Sequence, residues 1–268
     1  LFTYNPVYTK DYEEKLIQLN QFTAITTTGI AEINGKKIID LVNEFKALNS
    51  TIEDIAISIE IKVHEFIEYL EPQIKEHIEK NKEIGSCVIY FTFYEKSPHI
   101  THIFRLTTQE ATITDISNPD FKYINLHKEL DISRVVCDGQ NKLSDSILWG
   151  FGKTLYDIFP ELTSKIIDGL KLPEGTIVNK DEVIKDLMGQ DHLNSFFFRD
   201  VEMFNLSELS LQQAVDLASL LMRLEIDFQK YTKNIPTVGG VVKLAVIDDD
   251  GFRFIFGDKI EAPKHIHL

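Results

Sequence analysis

The stretch LSLQQAVDLASLLMRLEID (residues 209–227), followed by TVGGVVKLAVIDDDGFRFI (residues 237–255), decides the fold predicted for this chain. At its start, Ser210 and Gln213 have the Ser-x-x-Gln spacing of a capping box, in which two side chains pair with backbone N–H groups at the beginning of a helix. Apolar residues then recur at helical spacing and form one face: Leu211, Ala214, Val215, Ala218, Leu221 and Met222. The first segment therefore predicts a capped amphipathic helix.

The second segment has the pattern of a β-hairpin that follows a Gly-Gly pair. The tripeptide VGG at residues 238–240 precedes a largely apolar run at residues 241–247, which predicts a buried strand. The dipeptide Asp-Gly at residues 250–251 is typical of hairpin turns, and residues 252–255 alternate as a returning strand does. The end of the chain therefore predicts a helix, a turn and a hairpin.

Composition limits the class of protein. The chain has 268 residues, of which 43% are apolar and 26% charged, as in soluble globular proteins with one large or two small domains. Its net charge of −14 disfavours binding to phosphate backbones and anionic membranes, so we expect neither a nucleic-acid nor a membrane partner. Only two cysteines occur, Cys87 and Cys137, each in a predicted strand as a small buried residue. This cysteine usage favours a reducing cytoplasm.

Before the quoted segments, groups of strands alternate with helices. The patterns predict a hairpin at 15–29, helices at 36–48, 51–70 and 144–158, and strands at 87–94, 100–106, 111–116 and 135–137. Pro72 is predicted to begin a short helical continuation to about residue 82, and Pro160 to end the helix before it. Residues 160–206 form an irregular insert with short helical patterns near 162–170 and 181–187. Because no βαβ rhythm is present, we expect antiparallel sheets with helices on their outer faces.

This order of elements, together with one motif near the start, resembles proteasome-type subunits. The tetrapeptide EKLI at residues 14–17 resembles the motif that begins the third strand of that family, whose Lys is catalytic. Gly29 resembles the glycine at the end of the next strand, and its separation from Lys15 by fourteen positions matches the family pattern. The family includes the proteasome β chains, the bacterial two-ring peptidase and bacterial relatives, all N-terminal-nucleophile hydrolases.

The resemblance covers about residues 13–158 and 207–257 and implies the fold. It implies an α+β protein built as a four-layer αββα sandwich, with two antiparallel sheets between helical layers. The chain is then a single proteasome-like domain over residues 1–268, with the irregular helical insert at about 160–206. It also implies a homo-oligomer, a ring or related assembly, because members of the family pack their outer helices against neighbouring subunits.

The resemblance also implies a catalytic site. In the family, a Thr at the mature N-terminus attacks the peptide carbonyl after its α-amine, a Lys and an Asp have activated it. A glycine N–H then stabilises the oxyanion. These roles transfer to Lys15 and Gly29. Gly139 joins them, because CDG at residues 137–139 resembles the Gly-Ser-Gly that precedes the third helix of the family.

Three polar positions differ from the family pattern. Asp138 stands where the family has Ser, and Val238 stands where the motif Asp-x-x-Ser-Gly-Gly has its Ser. The Asp of that motif is replaced as well, by Ile235. These differences favour the alternative function, a non-catalytic subunit that serves as an assembly or binding module.

The nucleophile is expected upstream of Leu1. Fourteen residues precede Lys15, too few for the two full strands and turn that come first in the family, since a strand usually needs about 5–6 residues. Thr3 and Thr9 are the only threonines there, and neither is terminal. The predicted enzyme is thus a threonine-type endopeptidase acting on peptides or unfolded protein.

Other interpretations of these residues stay open. Lys15 is equally typical of a solvated strand edge, Gly29 of an ordinary turn, and Cys137 could be a nucleophile if a His lay beside it. The pairs His99-x-x-His102 and His265-x-His267 have ligand-like spacings, but no Cys or acidic cluster joins them in sequence, so we predict no metal. The triplet DDD at residues 248–250 lacks the spaced ligands of a calcium loop. Gly-rich phosphate loops are absent from the sequence, and no cofactor is predicted.

Overall fold

The computed structural model of the protein describes residues 15–48, 53, 55–130, 135–136, 138, 142–149, 153–171, 173, 175–187, 206–229, 231 and 242–255. The chain divides into two compact units: Leu1–Arg134 with Gly240–Leu268, and Val135–Gly239. Among the helices found in the described residues, none has the length and apolarity needed to span a membrane.

The first unit contains eleven strands and two helices among its described residues. The strands are β1 (Leu16–Gln18), β2 (Thr23–Gly29), β3 (Glu32–Ile33), β4 (Lys36–Lys37), β5 (Glu83–Ile84), β6 (Cys87–Glu95), β7 (Ile100–Thr108), β8 (Ala111–Thr112), β9 (Ile124–Leu130), β10 (Leu244–Asp248) and β11 (Gly251–Ile255). The helices are α1 (Ile38–Leu48) and α2 (Ala56–Asn81).

Five strands form one antiparallel sheet in the order β1-β2-β6-β7-β9. The hairpin predicted at residues 15–29 is confirmed, with Ile17 opposite Ile25. Only the first two residues of the strand predicted at 111–116 form one, β8, which pairs with β5. The chain then turns, and the Asp115 carboxylate accepts the Thr112 N–H at 2.7 Å. The third strand of this meander is β9 instead, which the sequence patterns missed.

Helices α1 and α2 cover the face of this sheet that carries Phe91. The rings of Phe45 in α1 and Phe66 in α2 meet edge to face with centroids 5.0 Å apart, and Phe66 meets Phe91 in the same way at 5.2 Å. The buried positions of α2 recur every three or four residues: Ile59, Val63, Phe66, Leu70, Ile74 and Ile78. This spacing produces the core, and the prediction of two helices on one sheet face is confirmed.

The boundaries of these helices differ from the prediction. Helix α1 begins at Ile38, because Lys36–Lys37 pair with Glu32–Ile33 in a small hairpin. Pro72 lies within α2 and does not begin a new segment. The helix continues through it because Pro72 is on the exposed side, while Leu70 and Ile74 stay in the core and stabilise both halves.

The strands β10 and β11 form the predicted hairpin. Asp248 lies opposite Gly251, and the turn between them contains Asp249 and Asp250. Gly251 has a φ of +98°, which favours glycine. The first strand begins at Leu244, three residues later than predicted, while residue 241 lies outside the described residues.

The second unit contains four described helices: α3 (Lys142–Trp149), α4 (Lys153–Gly169), α5 (Lys180–Leu187) and α6 (Leu211–Gln229). The helical patterns predicted near 162–170 and 181–187 are confirmed by α4 and α5. The predicted helix end at Pro160 is wrong, because α4 continues through Pro160 to Gly169 with Thr163 buried one turn later. Val135 and Val136 are not in a strand as predicted, and residue 137 lies outside the described residues.

The predicted capping box at the start of α6 is confirmed. The Ser210 N–H donates to Gln213 Oε1 at 2.8 Å, and the Gln213 N–H donates to Ser210 Oγ at 3.3 Å. The predicted apolar face is only partly correct. Val215 and Leu221 are buried, but four members are exposed: Leu211, Ala214, Ala218 and Met222. Buried polar side chains lie on the inner face instead: Ser219, Glu225 and Gln229.

Candidate active site

Lys15 lies at one end of the β1–β2 hairpin. Its carbonyl oxygen accepts the N–H of Thr27 at 3.0 Å, which fixes the two residues opposite each other. Alternate residues of a strand share a face, so Lys15 is on the same face as Ile17, which is buried in the core. Lys15 itself is exposed. The hairpin therefore places an ammonium group at the end of the sheet, where apolar packing gives way to solvent.

Gly29 ends β2 in a conformation that excludes other residues. Its φ is +93°, and a Cβ at this position would lie 2.3 Å from the carbonyl oxygen of Ser86. Because that oxygen belongs to the backbone of the neighbouring segment, it cannot turn aside as a flexible side chain would. Gly29 is thus required by both conformation and space.

The hydrogen-bond pattern gives the direction of the Gly29 N–H. In antiparallel pairs, hydrogen-bonded and non-hydrogen-bonded positions alternate. The Tyr94 N–H donates to Phe22 O at 3.0 Å, and the Ile30 N–H donates to Ser86 O at 3.1 Å. Phe22 and Ile30 therefore occupy hydrogen-bonded positions toward β6. Gly29, directly before Ile30, occupies a non-hydrogen-bonded position. Its N–H therefore points away from β6, to the β1 side on which Lys15 lies. The structure brings these two predicted site residues together.

Cys87 lies directly opposite Gly29 in the sheet. It is fully buried, as the sequence predicted. Burial raises the pKa of the Cys87 thiol to about 12, while the positive charge of nearby Lys15 acts in the opposite direction. The thiol is therefore protonated at neutral pH and is a packing residue, not a nucleophile. The interaction also places the Lys15 ammonium near the Cys87–Gly29 pair.

The third predicted site residue, Gly139, lies outside the described residues, as do Cys137 and the Gly-Gly pair at 239–240. Asp138 is described and half-buried. Of the three predicted site residues, Lys15 and Gly29 lie within the described part of the chain.

Sequence analysis missed one polar residue at this end of the sheet. Thr108, at the end of β7, is buried and pairs with Cys87 through its side chain. The predicted strand stopped at Leu106, although the β-branched Thr107 and Thr108 continue its pattern. A longer strand would have placed Thr108 beside the start of β6.

A second polar cluster lies at the other end of the sheet, around the β6–β7 turn. The Tyr94 hydroxyl donates to Asp249 Oδ1 at 3.0 Å and lies 2.8 Å from His99 Nδ1. His102 instead pairs with Glu95, with 2.7 Å between Nε2 and Oε2. The two histidines thus contact different carboxylates. Within the described ranges, no three His, Cys, Asp or Glu side chains are arranged to hold a metal ion. His265 and His267 lie outside those ranges.

No protein-family model matches the sequence, and no curated protein matches it.

Proposed function

We propose that this chain is a proteasome-type subunit of the N-terminal-nucleophile hydrolases and acts as a threonine-type endopeptidase on peptides or unfolded protein. One observation carries the proposal. Lys15 and Gly29, fourteen positions apart, lie at one end of a single hairpin, and the Gly29 N–H points to the side on which Lys15 lies. A cation that stabilises developing negative charge and a backbone N–H that binds the oxyanion both assist acyl transfer to an activated hydroxyl.

The topology supports the same family. The strands β1, β2, β6, β7 and β9 follow one another across an antiparallel sheet, and the two helices between β2 and β6 cover one face of it. The β10–β11 hairpin contacts the β1–β2 turn of the same unit: the Phe252 N–H donates to Gln21 O at 2.6 Å. In the proposed αββα sandwich, α1 and α2 are one outer layer, the five-stranded sheet is the second, and β10–β11 belong to the third.

Each site residue has a chemical role in the proposed reaction. The nucleophile is a hydroxyl at the mature N-terminus upstream of Leu1, and its own α-amine accepts the hydroxyl proton. The Lys15 ammonium stabilises the developing negative charge, and the N–H of Gly29 donates to the carbonyl oxygen as it becomes an oxyanion. The proton then passes to the leaving amine, and water hydrolyses the acyl-enzyme. From the resemblance, Gly139 is proposed to keep the backbone shape of the family's Gly-Ser-Gly motif.

The second candidate is a non-catalytic subunit that acts as an assembly or binding module. Asp138 favours it, because a carboxylate replaces the family hydroxyl at a position that supports the nucleophile. Both candidates are proposed to be cytoplasmic homo-oligomers, with no nucleic-acid or membrane partner.

The test is peptide hydrolysis by the complete gene product, expressed from its natural start. Mass spectrometry identifies the mature N-terminal residue, and a broad panel of fluorogenic peptides measures turnover. Lys15→Ala is expected to lower turnover more than about 100-fold, as loss of a charge-stabilising group does. Lys15→Arg is also expected to lose turnover, because the bulkier guanidinium does not replace a compact ammonium.

The matched control is Lys122→Ala, which removes the same charge from an exposed position in the loop before β9. It should leave turnover unchanged, and sizing chromatography should show the same assembly for all variants. Equal activity of Lys15→Ala and wild type would remove Lys15 from the mechanism. An inactive wild-type protein would favour the non-catalytic subunit.

A further inference from the structure

Thr108 contacts the start of β6 through its hydroxyl. The side chain is buried, at 2% exposure, and lies opposite Cys87. Its Oγ1 accepts the Cys87 N–H at 2.8 Å and donates to the Cys87 carbonyl oxygen at 3.3 Å. One side chain therefore bonds to both backbone groups of Cys87, in addition to the pairing of Cys87 with Thr108 in the β6–β7 ladder.

The Cys87 N–H belongs to the same peptide group as the Ser86 carbonyl. A peptide group is planar and rigid, so fixing its N–H also fixes the direction of its C=O. On the opposite side of β6, this Ser86 oxygen accepts the Ile30 N–H at 3.1 Å. The same oxygen occupies the space beside Gly29 in which a Cβ would stand. A single planar group thus connects the Thr108 hydroxyl with Gly29 and Ile30.

From this arrangement we infer that Thr108 is a positioning residue for Gly29. Its hydroxyl holds the Ser86–Cys87 peptide in the plane that keeps Gly29 at positive φ, with its N–H directed to the Lys15 side. If the hydroxyl is removed, the Cys87 N–H loses this 2.8 Å hydrogen bond and the Ser86–Cys87 peptide is held less firmly. The Ser86 oxygen then moves away from Ile30, and the Gly29 N–H loses its fixed direction.

This inference rests on the proposed function for its catalytic consequence, since a displaced Gly29 N–H matters to turnover only if it binds the oxyanion. Its structural part is independent of catalysis. The experiment therefore measures amide protection and turnover separately in the complete protein. Protection is followed by hydrogen–deuterium exchange and mass spectrometry on overlapping peptides that span residues 28–31.

Three substitutions distinguish the effect of the Thr108 hydroxyl from the effect of side-chain volume. Thr108→Val keeps the shape and removes the hydroxyl, and Thr108→Ser keeps the hydroxyl. Thr23→Val is the matched control in the same sheet, because Thr23 is also buried but its Oγ1 has no hydrogen-bond partner within the described part of the chain. If Thr108→Val does not fold, Thr108→Ala beside Thr23→Ala repeats the comparison.

Thr108→Val is expected to raise exchange at the Ile30 amide about tenfold, because the peptide whose oxygen accepts this N–H is held by one hydrogen bond fewer. In an active enzyme it should also lower kcat about tenfold with KM unchanged, and Thr108→Ser should restore both. Thr23→Val should change neither.

Exchange in Thr108→Val equal to that in Thr23→Val would overturn the inference. So would raised exchange with unaltered kcat in an active enzyme. If the wild-type protein hydrolyses no peptide, the proposed function fails on that result alone. In that case, exchange that is faster in Thr108→Val and returns to the wild-type rate in Thr108→Ser still establishes Thr108 as the residue that positions Gly29.

Discussion

The carboxylate of Glu225 in α6 accepts a hydrogen bond from the backbone N–H of Ser144 in α3 at 2.7 Å. Ser144 is in the first turn of α3, where backbone N–H groups lack partners inside the helix and the helix dipole favours negative charge. Both residues are buried. Glu225 therefore caps one of the first backbone N–H groups of α3 from another helix.

Replacing Glu225 should destabilise the protein through this cap. Glu225→Ala is expected to lower the free energy of unfolding by about 1.5–3 kcal/mol, the range for a hydrogen bond to a charged group. Glu161→Ala is the control, because the exposed Glu161–Lys165 pair contributes about 0–1 kcal/mol. Urea denaturation measures both. Equal losses would show that the Glu225 carboxylate does not stabilise α3.

Gly29 and Gly175 separate the effect of steric contact from that of backbone conformation. Both have positive φ, +93° and +88°, but a Cβ on Gly175 would meet nothing within 4 Å. Gly175→Ala should therefore cost only the conformational strain, about 1–2 kcal/mol. Gly29→Ala should cost more than that, because the Ser86 carbonyl must also move. Chemical denaturation of the two variants gives the difference, and similar values would contradict the close contact.

The Cys87 thiol makes stability depend on pH in the alkaline range. Burial raises its pKa to about 12 from the ordinary value of 9.0. The native state holds this proton more tightly than the unfolded state does. The contribution of the protonated Cys87 thiol to stability is therefore fully present below about pH 9 and is lost as the pH rises toward 12.

Cys87→Ala removes this titration while the other groups remain. The advantage in unfolding free energy of the wild type over the variant should shrink between pH 8 and pH 10.5, as measured by urea midpoints at each pH. Taking the difference cancels the titration of lysines and tyrosines common to both proteins. A difference that stays constant over this range would show that Cys87 is not shielded from water.

Leu221 and its neighbour Leu220 test which side of α6 faces inward. Leu221 is 3% exposed and Leu220 is 51% exposed. Leu221→Ala should cost about 2–5 kcal/mol, as for a buried leucine that leaves a cavity. Leu220→Ala should cost less than about 0.5 kcal/mol, the usual range for surface substitutions. A loss below that level at Leu221 would mean that this face does not pack against the second unit's core.

Part of the candidate site could be predicted because its signals are local. Lys15 and Gly29 belong to one hairpin, so their relation depends on strand alternation and on the turn between them. Gly29 was singled out as a glycine, but the reason for it, the Ser86 carbonyl, is far away in sequence. Thr108 was not predicted at all, since its partner Cys87 is on another strand, and only the register of β6 against β7 joins them.

Local interactions made several elements predictable from residue order alone: the β1–β2 hairpin, the β10–β11 turn with its glycine, the core spacing of α2 and the capping box at Ser210. Tertiary structure decided the rest. Burial of Leu70 and Ile74 in the core stabilises α2 on both sides of Pro72. The bond from Ser144 holds Glu225 on the inner side of α6, and the register of β6 against β7 places one peptide group between Thr108 and Gly29. Packing and buried hydrogen bonds between distant segments outweigh local preferences of about 1–3 kcal/mol, so these features follow from the assembled fold.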